Sequence, residues 1–188
     1  MYIIFVVFFS LLKMFFTSSI FTFMIQGYLH LFPNYIAKSG PTVGLSEQFL
    51  SRYPKLPIEY IDFLNSFSLL ANKADTTWFN SITDFNEDEV EEFRWDEFER
   101  ESMEALEGDA TAQGLVSDFW DRHIPIILSV EGGYSHFSIG VGENNWGKIY
   151  FGGEPEYEEV EWVADSFLMF MEALAEGRLI DKYERLFR

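Results

Sequence analysis

The chain has 188 residues, enough for one domain of ordinary size and too few for two large ones. It contains no cysteine, which excludes disulfides, thiolate nucleophiles, zinc ribbons and iron–sulfur clusters. Thirteen Lys and Arg stand against 31 Asp and Glu, a formal net charge of -18, while aromatic residues make up 19%. A surface that negative repels nucleic acid and anionic lipid headgroups, and its natural complement is a basic protein. The aromatic content separates the chain from disordered acidic tails.

Residues 1–32 hold one charged side chain, Lys13, so the acidity belongs to the rest. Residues 1–23 form a hydrophobic segment that reads three ways. It is long enough for a membrane anchor and apolar enough for a signal sequence. It also fits a start placed upstream of the true one, since Met14 and Met24 are both in frame. From Met24 onward the pattern is that of an ordinary globular domain, which sets the expected division at 1–23 and 24–188. A domain without the anchor is expected in the cytoplasm.

Pro33, Gly40, Pro41 and Gly44 predict a loop over residues 33–45. Ser46 followed by Glu47 and Gln48 opens a short helix to about Tyr53. Pro57 introduces a second helix, whose apolar face carries Ile58, Tyr60, Ile61, Phe63, Leu64 and Phe67. The β-branched and aromatic run from Trp78 to Phe85 predicts a strand. Residues 84–109 hold 13 acids against Arg94 and Arg100. Val90, Phe93, Phe98, Met103 and Leu106 interrupt them at helical steps, which predicts an amphipathic helix whose acidic back is either solvated or a recognition face. Gly108 to Gly114 breaks it.

Ile124 to Val130, Tyr134 to Val141 and Lys148 to Phe151 then predict an antiparallel meander, turned by Glu131-Gly132-Gly133 and by the Gly142–Gly147 loop. Gly152 to Glu159 reads as a connection. Ala164 to Ala175 carries the stripe Phe167, Leu168, Phe170, Met171 and Leu174, a helix ended by Gly177. A short helix or tail closes the chain. The fold class is therefore α+β, one antiparallel meander sheet with helices packed at both ends of the domain.

Little of the chain carries catalytic chemistry. Gly142 to Lys148 matches the spacing of a phosphate loop, but Ile149 replaces the Ser or Thr that would ligate magnesium, and a strand follows where a helix is required. A hairpin loop is the expected role. His30, His123 and His136 have no helical histidine partner, so no paired metal site is expected. Gly133 to Phe137 resembles a nucleophile elbow but lacks its last glycine and its strand-to-helix turn. His136, alternating on a strand, is expected at the surface or half-buried. Asn86 to Glu89 lacks the glycine of a calcium loop. No catalytic residue, metal or cofactor is expected.

Leu56-Pro57-x-x-Tyr60-x-x-Phe63-Leu64 resembles the LPxxYxxFL helix of the SUKH superfamily. Ile124-Pro125-Ile126, Glu131-Gly132-Gly133 and Lys148 to Phe151 look like that family's meander, and Val163 to Phe170 is similar to its closing helix. Together these pieces span about Met24 to Gly177. Two places differ. Asn65-Ser66-Phe67-Ser68 stands where members often carry glycines, and Tyr134-Ser135 where they often carry an aspartate. The resemblance implies a non-catalytic α+β binding protein: an immunity protein that neutralises a toxin, or a regulatory scaffold. A carboxylate-based hydrolase is the enzyme alternative.

The partner is expected to meet Glu154, Glu156, Glu158, Glu159 and Glu161, five carboxylates in eight residues, with Glu87, Asp88, Glu91 and Glu92 assisting. Trp146, between Asn145 and Gly147 on a loop tip, is a candidate anchor for the same partner.

Overall fold

In the computed structural model, the structure describes residues 34–40, 43–86 and 93–187. The first segment, 1–23, lies outside these, as do Pro33, Pro41 and Thr42 of the loop assigned to 33–45. Among the described residues no helix is long and apolar enough to cross a membrane.

Seven strands form one antiparallel sheet: β1 Tyr35–Ser39, β2 Phe67–Asn72, β3 Thr77–Phe79, β4 His123–Ser129, β5 Ser135–Gly140, β6 Ile149–Gly153 and β7 Glu156–Ala164. Their order across the sheet is their order in the chain, so the whole sheet is one meander. The helices are α1 Glu47–Arg52, α2 Ile58–Leu64, α3 Ile82–Asn86, α4 Glu97–Ala105, α5 Ala110–Trp120, α6 Phe167–Ala175 and α7 Asp181–Glu184, the last continued by a 3-10 turn over Arg185–Phe187. The fold class is α+β in a single domain, as the pattern of the sequence implied. The residues that carry the SUKH resemblance fall on α2, β4, the β4–β5 turn, β6 and the β7–α6 junction, in that order.

Two helical layers flank the sheet. The larger core packs α2, α6 and the C-terminal turn against one face through aromatic rings. Phe63 meets Phe67, Phe79 and Phe167 at centroid distances of 5.5, 5.5 and 5.0 Å, and Phe137 meets Phe170 and Phe187 at 5.1 and 5.6 Å. Ser166 caps α6 by accepting the Met169 amide, and Ser46 caps α1 by accepting that of Phe49. The smaller core, built from Phe98, Val116, Trp120, Leu128 and Tyr157, packs α4 and α5 against the other face. Residues Arg52 and Tyr53 join the layers. Arg52 grips Glu99 with two bonds of 2.6 and 2.7 Å and Asp121 with one of 2.9 Å, while the Tyr53 hydroxyl donates to the Trp120 carbonyl.

Several elements differ from the expected ones. The loop assigned to 33–45 contains β1, which pairs with β2. Phe67 leaves the helix to begin β2. The turn at Asn65-Ser66 makes this break, with the Ser66 hydroxyl donating to the Asp62 carbonyl and the Asn65 side chain to that of Ile61. The strand predicted from Trp78 stops at Phe79. Ser81 and Asp84 then bond each other's backbone amides reciprocally and start α3. The acidic helix expected over 84–109 is represented by α3 and α4, with residues 87–92 outside the described set. Gly114 does not break a helix but lies within α5, which Asp109 caps through the amides of Thr111 and Ala112. The expected connection from Gly152 to Glu159 is the end of β6, a turn at Glu154-Pro155, and the start of β7. Its four glutamates obscured an edge strand, where charge is a common protection against sheet-to-sheet pairing.

Phe63→Ala should lower stability by about 3–5 kcal/mol, because the ring is buried among four others and the site cannot collapse around the void. Leu115→Ala, at the exposed side of α5, should change it by no more than about 0.5 kcal/mol. Chemical denaturation of the two variants checks the contrast.

Candidate functional site

The bulged start of β7 organises the candidate site. Gly153 pairs with Glu156, yet Phe151 pairs with Glu161, so five steps on β7 answer two on β6. The surplus breaks the in-out alternation of the strand, and Tyr157 and Glu158 both engage the α4–α5 layer. The Tyr157 ring stacks on Phe98 at 4.4 Å and its hydroxyl donates to Glu101 at 2.8 Å. Burial first, then the bond to Glu101, pushes the Tyr157 hydroxyl well above its usual range. Glu158 accepts the Trp120 indole N–H at 2.6 Å through one oxygen and the Ser102 hydroxyl at 3.2 Å through the other.

Between α4 and this bulge lies a groove of about 650 Å³, walled by Glu101, Ser102 and Leu106 on one side and by Glu154, Glu156 and Glu158 on the other. Four carboxylates thus face one concave surface. Glu154 is positioned by the neighbouring turn. Its carboxylate accepts the Tyr134 amide at 3.1 Å, and its own amide donates to the Tyr134 carbonyl at 3.0 Å. Glu156 is exposed at the first position of β7.

The other expected site residues are distributed differently. Glu159 is exposed on β7 but does not line the groove. Glu161 is exposed on β7 beside the C-terminal helix, where Lys182 and the Tyr183 hydroxyl bond its carboxylate and hold it below the usual carboxylate range. Glu87, Asp88, Glu91 and Glu92 lie outside the described residues. Trp146 is 44% exposed at the tip of the β5–β6 loop. The loop and the Glu154 turn sit at opposite ends of β6, whose five residues span roughly 16 Å at 3.3 Å per residue. Trp146 and the groove are therefore separate surfaces. Glu101 and Ser102 were not singled out from the sequence, since only the chain's return 56 residues later places them opposite Tyr157 and Glu158.

The loop with phosphate-loop spacing is a hairpin loop fastened by one asparagine. Asn145 accepts the Gly142 amide at 2.8 Å and donates to the Arg122 carbonyl at 3.1 Å and to His123 Nε2 at 2.9 Å. Lys148 leads directly into β6. His136 is not half-buried as expected but fully enclosed, under Phe98 and Trp120, with Nε2 bonded to the Tyr157 carbonyl at 3.0 Å. It faces inward because this sheet is covered on both sides, so alternation on β5 does not separate core from solvent. Among the described residues no group of three or more His, Asp or Glu side chains is arranged to hold a metal ion.

Comparisons of the chain with protein-family models, with curated proteins and with solved structures find no match.

Asn145→Ala should cost about 1–3 kcal/mol, since the half-buried Gly142 amide and the His123 imidazole nitrogen lose this partner and the Arg122 carbonyl loses one of two. Lys148→Ala should leave the melting temperature near that of the parent, and added nucleotide should not raise it for either protein. A nucleotide-dependent rise lost in Lys148→Ala would restore the phosphate-loop reading.

Proposed function

We propose that the protein is a non-catalytic binding module that holds a basic partner protein at the acidic groove, and that it acts as an immunity protein against a toxin. One observation carries the binding reading: Glu154 and Glu156 rim a concave surface already lined by Glu101 and Glu158, on an otherwise strongly acidic molecule. Carboxylates brought together in the free protein repel one another, and a cationic partner relieves that repulsion. The resemblance to the SUKH superfamily supplies the immunity part of the reading, with a regulatory scaffold as its neighbour within the same class.

The carboxylates have different duties. Glu101 and Glu158 already accept hydrogen bonds from Tyr157, Ser102 and Trp120, so they contribute negative potential from fixed positions. Glu154, Glu156 and Glu159 are exposed and are the groups that steer an approaching partner. Exposed rim charges mainly set association rate, whereas buried charged pairs set dissociation.

Growth rescue tests the immunity reading: the chain is co-expressed with the product of each neighbouring toxin-like reading frame. Restored growth with one of them supports it, while failure with all favours the regulatory scaffold. With a partner in hand, Glu154→Gln/Glu156→Gln/Glu159→Gln together should slow association about three- to tenfold at low salt and flatten its salt dependence, with melting unchanged. Association that is indifferent both to salt and to the triple substitution would remove the groove rim from the interface.

A further inference from the structure

We propose that the α4–α5 layer is an acid-released cap: when His136 and His123 take up protons, this layer lifts from the sheet while the opposite core stays closed. The layer that lifts is the one that forms a wall of the acidic groove, but the proposal concerns the fold's response to pH and stands whether or not a partner binds there.

The geometry around His136 leaves a proton no good place. Nε2 faces the Tyr157 carbonyl, so it carries the hydrogen of the neutral ring and donates it. Nδ1 has no hydrogen-bond partner among the described residues. The surroundings are the Phe98 ring from α4, the Trp120 ring from α5, Leu128 across on β4, Gly152 on β6 and the Tyr157 carbonyl on β7. Gly152 leaves no slack, since a Cβ there would lie 2.5 Å from Nε2. Of the ionisable groups on the packed elements, those bonded at the seam between layer and sheet are Glu101 on α4, Tyr157 and Glu158 on β7, Asp121 after α5 and His123 at the start of β4. Glu97 and Glu99 on α4 pair with Arg100 and Arg52. The rest are Glu104 on α4, Asp118 on α5, Arg122 after it, Tyr150 on β6 and Glu156, Glu159 and Glu161 on β7. Glu101 is engaged by Tyr157, Glu158 by Trp120 and Ser102, and Asp121 by Arg52. A second proton on His136 would therefore be a buried, unpaired charge, which opening to water relieves. Burial accordingly pulls the His136 ring from 6.5 down to about 4, with the Tyr157 bond opposing and His123 assisting.

His123 fails in the same direction by a different route. Its Nδ1 faces the Phe119 carbonyl at the end of α5, and its Nε2 accepts from Asn145. A protonated ring would set N–H against N–H. Turning the Asn145 amide over does not help, because Gly142 needs its oxygen and Arg122 needs its N–H. Burial, aided by the Arg122 charge and opposed by the Phe119 bond, lowers this ring as well.

The layer is also the weaker of the two. Among the described residues five buried apolar side chains hold it, against 24 in the larger core, and part of its attachment is polar. Lowered histidines favour the neutral fold, so stability is present above about pH 6.5 and is lost as the pH falls toward 4. Ordinary carboxylates barely titrate between pH 7 and 5, and that window isolates the histidines.

Hydrogen exchange on the full chain, compared at pH 7 and pH 5 after correction for intrinsic rates, is the test. His136 alone should raise opening of residues 97–120 about twentyfold over that interval, while residues 58–72 and 167–175 change less than about twofold. Equal loss in both regions, or none in 97–120, would overturn the proposal. His136→Gln, which keeps a donor but does not titrate, should remove most of the pH dependence. Should that variant not fold, ring signals of the parent decide: a His136 ring that titrates near 6.5 within the closed protein rules the cap out.

Discussion

The bond from the Trp120 indole to Glu158 is the contact on which the second helical layer depends. It is a charge-assisted hydrogen bond at the rim of a core that, among the described residues, holds five buried apolar side chains. Beside it, Tyr157 stacks on Phe98 and reaches Glu101, and Glu158 also takes the Ser102 hydroxyl, so two consecutive residues of β7 seize one residue on α5 and three on α4. This arrangement needs the bulge. In a regular strand Tyr157 and Glu158 would point to opposite faces, and one of them would miss the layer altogether. The same bulge turns Glu158 inward to the layer while Glu156 and Glu159 stay exposed.

The two faces of the sheet are held by different physics. On one, rings of α2, α6 and the C-terminal turn interlock with Phe79 and Phe137, and the packing is mainly ring on ring. On the other, tyrosine, tryptophan and histidine offer apolar bodies with polar tips, and Trp120, Tyr157, His136 and His123 each bond a carboxylate or a carbonyl through one of them. Arg52 and Tyr53 straddle the two, contributing a forked ion pair to Glu99 and a hydrogen bond to the last residue of α5. The apolar face sets the fold. The polar face positions the groove.

Much of this was legible in the sequence, and the illegible parts have identifiable causes. Apolar stripes announced α2 and α6, and glycine turns announced the β4–β6 meander, because those signals are local. The strands β1 and β2 were hidden by a proline- and glycine-bounded stretch and by Phe67, which continues the helical stripe of α2 by coincidence. The strand β7 was hidden by its glutamates, since an edge strand needs apolar residues on little of its length. His136 was misplaced because period-two patterning assumes one wet face, whereas β5 has none. The groove itself required Glu101 to meet Tyr157 across 56 residues, a relation that no local pattern encodes. The five glutamates of 154–161 were visible, but their division into groove, edge and ion pair follows only from the bulge.

The meander has a topological consequence. Strands β3 and β4 are adjacent in the sheet, yet the chain between them, residues 80–122, contains all of α3, α4 and α5. The ends of this excursion are clasped together by Asn80, whose amide bonds the Ile126 carbonyl and whose side chain bonds that of Pro125. Every other pair of neighbouring strands from β1 to β7 is joined by a shorter path, the next longest being the α1–α2 crossing from β1 to β2. The second layer, α4 and α5, thus lies within a single insertion with closed ends, whose α3 packs into the larger core through Ile82 and Phe85, and the entropy of closing such a loop grows only with the logarithm of its length. The helices α4 and α5 can lengthen, shorten or change sequence while the sheet keeps its register. The groove, with one wall on the insertion and the other on the sheet, is built so that its shape can diversify at little cost to the frame that carries it.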